Sequence, residues 1–136
     1  MRFASVEQMV DDARSRLERV TAQHAAAMVG DGALLVDIRP VWQRTAEGEI
    51  PGSVIVERNH LEWRLHPDSS ARIPQARPGQ RWVVFCTEGY TSSLAADSLN
   101  SLGVAATDIV GGFAAWRAAG LPTAAGSTPP DHVVGS

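Results

Sequence analysis

The run Arg81-Trp82-Val83-Val84-Phe85 is the strongest strand signal in the chain, and Cys86, the only cysteine among 136 residues, sits at its end. A second run, Ala33-Leu34-Leu35-Val36-Asp37-Ile38, is almost continuously apolar until polar residues close it. That pattern is expected of a strand buried on both faces, as in a parallel sheet covered by helices. Shorter strands are expected at Val54-Ile55-Val56 and from about Thr107 to Val110.

Helical patterns lie between these strands. Ser5 reads as an N-cap with Gln8 completing a capping box, and Val6, Met9, Val10, Ala13, Leu17 and Val20 fall at roughly helical spacing. Thr21 caps a second short helix over Ala22 to Val29, stopped by Gly30. The polar stretch from Arg39 to Glu49 has room for one helical turn before Gly48. Asn59, with Glu62 three residues on, opens a short helix to about Leu65. The stretch from His66 to Gln80 holds Pro67, Pro74 and Pro78 and reads mostly as loop. Helix resumes from about Ser92 to Gly103, and a last helix runs from Phe113 to Ala119, with Gly120 and Pro122 beyond. Strands thus alternate with helices, which predicts an α/β domain with a mostly parallel sheet and helices on both faces. Ligands of such sheets sit at the carboxyl ends of the strands, where Cys86 falls.

Charge and cysteine usage remove several function classes. Twelve basic residues against fifteen acidic give a net charge of −3, so a global basic field for nucleic acid is lacking. One cysteine forms neither an internal disulfide nor a cysteine-based zinc site, and His24, His60, His66 and His132 lack the i,i+4 spacing of a helical metal site. Neither a metal nor a membrane partner is expected. Arg2, Glu7, Asp11, Asp12, Arg14 and Arg16 interrupt the apolar stretch that a secretory signal needs. A cytoplasmic protein with a reduced thiol is the expectation. The chain divides into an N-terminal helical extension (1–20), one domain (21–123) and a small, polar, Pro-containing tail (124–136) expected to be flexible.

The informative window is Cys86-Thr87-Glu88-Gly89-Tyr90-Thr91-Ser92. A cysteine ends a buried strand, a loop with a central glycine follows, and a helix begins. Such a loop can turn successive backbone N–H groups inward as an anion nest, and the helix N-terminus adds partial positive charge. Both would stabilise an anion built on the sulfur. A buried cysteine after an apolar strand can also be a small hydrophobe and nothing more. Thr91 and Ser92 offer hydroxyl donors to a sulfur anion, although Ser92 can equally be a helix cap. Tyr90 is placed to wall or cover a pocket; Trp42, Trp63, Trp82 and Trp116 read as core or rim aromatics.

From about Val20 to Pro122 the chain resembles the rhodanese-like sulfurtransferase family. Leu34-Leu35-Val36-Asp37-Ile38-Arg39 resembles the family's first strand with its Asp-x-Arg ending. Gly48-Glu49-Ile50-Pro51-Gly52-Ser53 is similar to its Gly-His-Ile-Pro-Gly-Ala turn, and Cys86-Thr87-Glu88-Gly89-Tyr90-Thr91 to its six-residue active-site loop. Gly111-Gly112-Phe113-Ala114-Ala115-Trp116, then Ala119-Gly120-Leu121-Pro122, is similar to its C-terminal signature. The resemblance implies a three-layer α/β/α rhodanese-like domain. It implies that Cys86 attacks a sulfane sulfur donor, carries the sulfur as a persulfide and yields it to a thiol or other nucleophile, without a cofactor. The donor would be a polysulfide, a persulfide, thiosulfate or a persulfide on another protein. The Thr87–Ser92 amides would hold the anion.

The loop departs from the thiosulfate-preferring pattern. Thr87 and Glu88 stand where such members place cations, and Thr91 stands at a position that is often Arg. A Glu88 carboxylate about 4 Å from one unit of the thiosulfate dianion's charge would cost up to about 4 kcal/mol at an effective dielectric of about 20. Thiosulfate is therefore expected to be a poor donor, unless Glu88 is simply solvent-facing. Arg39, Arg44 and Arg58 are candidates to restore positive charge at the pocket. Arg39 is also placed to pair with Asp37 and tie down the loop, and Glu49, in place of the family's usual His, reads as structural.

Two other readings stand beside this one. A cysteine phosphatase or arsenate reductase requires Cys, five residues, then Arg, and Ser92 holds that position here. A non-catalytic rhodanese-like binding or regulatory module is the main alternative. The N-terminal extension reads as a cover for the sheet or its edge, or as a docking element.

Overall fold

Alternation along two apolar strands sorts their side chains onto opposite faces of one sheet, and this sets the layers. In the computed structural model, which describes residues 1–136, the strands are β1 (Leu34–Asp37), β2 (Val54–Ile55), β3 (Trp82–Phe85) and β4 (Ala106–Asp108). They form a parallel sheet in the order β2-β1-β3-β4. The helices are α1 (Val6–Arg14), α2 (Ala22–Gly30), α3 (Val41–Glu47), α4 (Leu61–Leu65), α5 (Thr91–Ser101) and α6 (Gly112–Ala118). Val36, Val84 and Trp82 face one way and share a core of 15 buried residues with Leu61 and Leu65 of α4 and Ala95, Ala96 and Leu99 of α5. Leu35, Val83 and Phe85 face the other way and join Ala22 and Ala25 of α2 and Phe113 and Trp116 of α6 in a core of 11. The expected three-layer α/β/α arrangement is what the chain adopts.

The hydroxyl caps at Ser5 and Thr21 form, each accepting from the amide three residues on, Gln8 and His24 respectively, but Gln8 Oε1 accepts from the Ala4 amide and not from Ser5, so the expected capping box is not closed. Other local expectations shift. Asn59 does not cap a helix by its side chain; a 3-10 turn over Arg58–His60 leads into α4 instead. β4 begins a residue earlier than expected and its pairing with β3 stops at Asp108, the next residue, Ile109, being bridged in parallel to Val20. The helical pattern from Val6 to Val20 is helix only as far as Arg14, after which the chain descends to the open edge of β4. There the Val20 amide donates to Asp108 O (3.1 Å) and the Val110 amide to Val20 O (2.8 Å). Only Val20, then, covers the edge; α1 itself packs on α5 and buries Val10 and Ala13.

Residues 124–136 differ from the expectation of a free tail. The Glu49 and Ala124 amides each donate to the other's carbonyl, at 2.7 and 2.8 Å. Val133 then forms an antiparallel bridge to Val54, and Val134 is buried. The cause is the open edge of β2, whose unpaired backbone groups the tail satisfies. Both sheet edges are thus closed by the ends of the same chain. No helix is long and apolar enough to cross a membrane.

Candidate active site

Three strands place polar groups at one end of the sheet: β1 ends on Asp37, β4 ends on Asp108, and β3 delivers Cys86 between them. Cys86 is a free thiol, 7% exposed. Beyond it the chain turns through Gly89 at φ +86°, a conformation that side chains rarely adopt. A Cβ there would also lie 3.0 Å from both the Gly111 amide nitrogen and the Ile109 carbonyl.

The loop's carbonyls are held outward. The Phe113 amide donates to Cys86 O (2.8 Å), and the Ala114 amide donates to Thr87 O (3.0 Å), so the first turn of α6 grips the loop's first half. Gly112 makes this approach possible: a Cβ on it would stand 2.4 Å from Cys86 O and 2.8 Å from Thr87 O. Gly89 O accepts from Arg14 Nη2 (2.7 Å) and Arg19 Nη2 (3.0 Å). By contrast, none of the amides from Thr87 to Ser92 donates to an acceptor of the chain. In a trans peptide, N–H and C=O point to opposite sides, so carbonyls drawn outward leave donors for the inner side of the loop. That is the arrangement an anion on or near the sulfur would use.

The hydroxyls of Thr87, Ser92 and Ser93 are committed elsewhere. Ser92 and Ser93 Oγ each donate to Asp108 Oδ2 at 2.8 Å, so Ser92 neither caps α5, which begins at Thr91, nor offers its proton to the sulfur. Thr87 Oγ1 donates to Glu47 Oε1 (2.8 Å), tying the loop to α3. Thr91 and Tyr90 are exposed, and the Arg14 guanidinium lies 5.5 Å from the Tyr90 ring centre. Glu88 is exposed and makes no side-chain hydrogen bond or ion pair, so solvent weakens its effect on a nearby anion.

The candidate arginines fall into two classes. Arg39 and Asp37 are both fully buried and joined by two bonds, Nε to Oδ1 (3.0 Å) and Nη2 to Oδ2 (2.7 Å). Arg39 also bonds Glu47 Oε1 and Gly48 O and lies 4.3 Å from the Phe113 ring centre. Burial pushes the Asp37 carboxyl up against the pull of Arg39. Burial also opposes the Arg39 charge, but hydrogen bonds and charge from Asp37 and Glu47 outweigh it and raise that group. Arg44 is buried against Glu49 and Thr128 O rather than offered to a substrate. Glu49 is lowered: burial works the other way, but the bonds from Arg44 and Thr128 prevail. Arg58 alone is partly open. It pairs with Glu62 at 2.9 Å and lines a cavity of about 360 Å³ with Ile38, Pro40, Glu57 and Asn59, beyond the ends of β1 and β2.

Sequence reasoning passed over Arg14, Arg19 and Asp108. Asp108 is fully buried and accepts from Arg19 Nε (2.8 Å) as well as from both serines. Its signal was available, since an acid closes β4 as Asp37 closes β1. Arg14 and Arg19 lie about seventy or more residues from Gly89, and nothing local marks them.

Residues 21–119 match the family model for the rhodanese-like domain. A protein of unknown function from Rhodopseudomonas palustris, described as a possible tyrosine phosphatase, is similar at 33% identity and a TM-score of 0.80, over 90% of this chain and 96% of that one. A thiosulfate sulfurtransferase from Pseudomonas aeruginosa is 24% identical with a TM-score of 0.68, and 85% of this chain corresponds to 21% of it. A rhodanese-related protein from Thermoplasma volcanium is 20% identical with a TM-score of 0.63, over 77% and 95% of the two chains. No curated protein matches the chain. With the family model spanning most of its length, over the strands, the cysteine loop and the start of α6 that grips it, the chain belongs to the rhodanese-like domain family.

Proposed function

We propose that the protein is a sulfurtransferase that carries a sulfane sulfur as a persulfide on Cys86 and passes it to a nucleophilic acceptor. The observation that carries this reading is the loop after Cys86, in which the carbonyls of Cys86, Thr87 and Gly89 are bound from outside while the amides of Thr87–Ser92 are left without acceptors in the chain. In the first step the Cys86 thiolate attacks the sulfane sulfur of the donor. A new S–S bond forms, the donor's S–S bond breaks, and the leaving group takes the electron pair, as sulfite from thiosulfate or as a shorter polysulfide. In the second step a thiol or cyanide attacks the terminal sulfur, and Cys86 leaves as thiolate. Neither displacement needs a redox cofactor. The loop amides stabilise the charge on the terminal sulfur of the persulfide formed in the first step and on the departing Cys86 sulfur in the second.

The donors we favour are polysulfides and low-molecular-weight or protein persulfides, with thiosulfate poor, because the loop offers that dianion no cation of its own; the exposed Glu88 adds only a screened repulsion. The acceptor is a thiol or similar nucleophile. The cytoplasm suits a protein that depends on a reduced thiol. The description of the R. palustris relative raises a phosphatase reading. It fits the chain less well, since Ser92 stands where an oxyanion-gripping Arg is required and its hydroxyl is bound to Asp108.

Thiocyanate formation from cyanide tests the proposal. Polysulfide should support turnover that Cys86→Ser abolishes, thiosulfate should support less, and p-nitrophenyl phosphate should not be hydrolysed. Absence of turnover with every donor, in folded protein, would return the domain to the binding-module reading.

A further inference from the structure

We propose that the N-terminal extension supplies the positive charge that the cysteine loop lacks, with Arg14 acting as a positioning residue through the Gly89–Tyr90 peptide. The inference deepens the sulfurtransferase reading and rests on it for its biological meaning. From Thr87 to Ser92 the loop carries one acid and no base. The cations that bond the loop's backbone come from behind. Arg14 Nη2 and Arg19 Nη2 both donate to Gly89 O, at 2.7 and 3.0 Å. The carbonyl of that peptide points at two guanidiniums, so its N–H, which belongs to Tyr90, points away from them. A cation on the carbonyl polarises the whole unit and strengthens the donor on the other side.

The two arginines are not equivalent. Arg19 is neutralised by a two-bond pair with Asp108. Arg14 forms no ion pair; its Nε donates to Ser93 Oγ (3.0 Å), and the Tyr90 ring lies beside it. Its charge is therefore the uncompensated one at the loop. Arg14 stands in the last turn of α1, and the burial of Val10 and Ala13 against the body of the domain brings it there. Asp108 completes the clamp by holding Arg19, Ser92 and Ser93 together.

The test reads the field at Cys86 directly, by comparing its alkylation rates with iodoacetate, an anion, and iodoacetamide, which is neutral. In the full chain, Arg14→Gln keeps a donor for Gly89 without the charge. We expect it to lower the iodoacetate-to-iodoacetamide rate ratio about three- to tenfold, as a unit charge acting across about 10 Å of partly screened protein would. Arg14→Met should lower it as much, and Arg14→Lys should keep it near the wild-type value. Arg16→Gln is the control, since Arg16 sits just beyond α1 but pairs with Asp12 and Asp97 instead of the loop. A ratio unchanged in Arg14→Gln, a fall confined to Arg14→Met, or an equal fall in Arg16→Gln would each overturn the proposal. Because alkylation needs no sulfur transfer, failure of Cys86 to carry sulfur would leave this result readable on its own.

Discussion

Replacing Gly112 by Ala should loosen the cysteine loop more than it strains the helix that carries the change. The residue has φ +58°, and a left-handed conformation costs a non-glycine residue about 1–2 kcal/mol. The added Cβ would also drive Cys86 O back from 2.4 Å to beyond 3.0 Å, with Thr87 O and the Gly89 amide close behind. The Phe113–Cys86 and Ala114–Thr87 hydrogen bonds would then stretch or break, at about 1 kcal/mol each. The total loss is about 3–4 kcal/mol. Gly79→Ala is the matched control: φ is +80° there, but no atom lies within 4 Å of the new Cβ, so only the conformational cost of about 1–2 kcal/mol applies. Urea denaturation should therefore separate the two variants by about 2 kcal/mol, or by roughly 6–10 °C in Tm for a domain of this size. Sulfur loading of Cys86 should be near normal in Gly79→Ala and lower by on the order of a hundredfold in Gly112→Ala, the cost typical of a misplacement of about 1 Å. If the two variants matched in stability and Gly112→Ala loaded at the wild-type rate, the view that α6 shapes the loop would be wrong.

Other perturbations probe the parts separately. Glu88→Arg should raise kcat/KM for thiosulfate about tenfold or more; an unchanged value would remove the electrostatic account of donor preference. Asp108→Ala strands Arg19 and two buried serine hydroxyls and should cost about 3–5 kcal/mol in urea denaturation, whereas a loss under about 1 kcal/mol would mean that the clamp is ornamental. Glu49 is lowered in the fold, so the stability it lends is whole above the ordinary glutamate range and drains as pH falls below about 4. Glu49→Gln should thus be less stable at pH 7 and show a shallower acid decline; a curve parallel to the wild type would contradict the Arg44–Glu49–Thr128 pairing.

Much of the fold is written in local pattern. The apolar runs ending at Asp37 and Cys86 yield two central strands, and the hydroxyls of Ser5 and Thr21 mark two helix starts because an N-cap is a contact between near neighbours in sequence. The Cys86-to-Ser92 loop is legible for the same reason, as is the pairing of Arg39 with Asp37 two residues away. What local pattern does not carry is the set of partners that only the finished fold brings together. The amides of Phe113 and Ala114, the guanidiniums of Arg14 and Arg19 and the carboxylate of Asp108 all reach the loop from other elements. Arg44 reads as available in sequence because one of its buried partners, Thr128 O, lies 84 residues away in a segment with the composition of a tail, and only the other, Glu49, is near it in the chain. That segment has only Val133 and Val134 as an apolar signal, too short for a strand pattern, and the open edge of β2 is what orders it.

The most direct test of the central claim is the intact mass of the protein after exposure to polysulfide, with Cys86→Ser alongside. The account predicts the added mass of one or more sulfur atoms on the wild type alone, removed by cyanide or a thiol. Added sulfur on the Cys86→Ser protein as well, or no addition to a folded wild type, would contradict it.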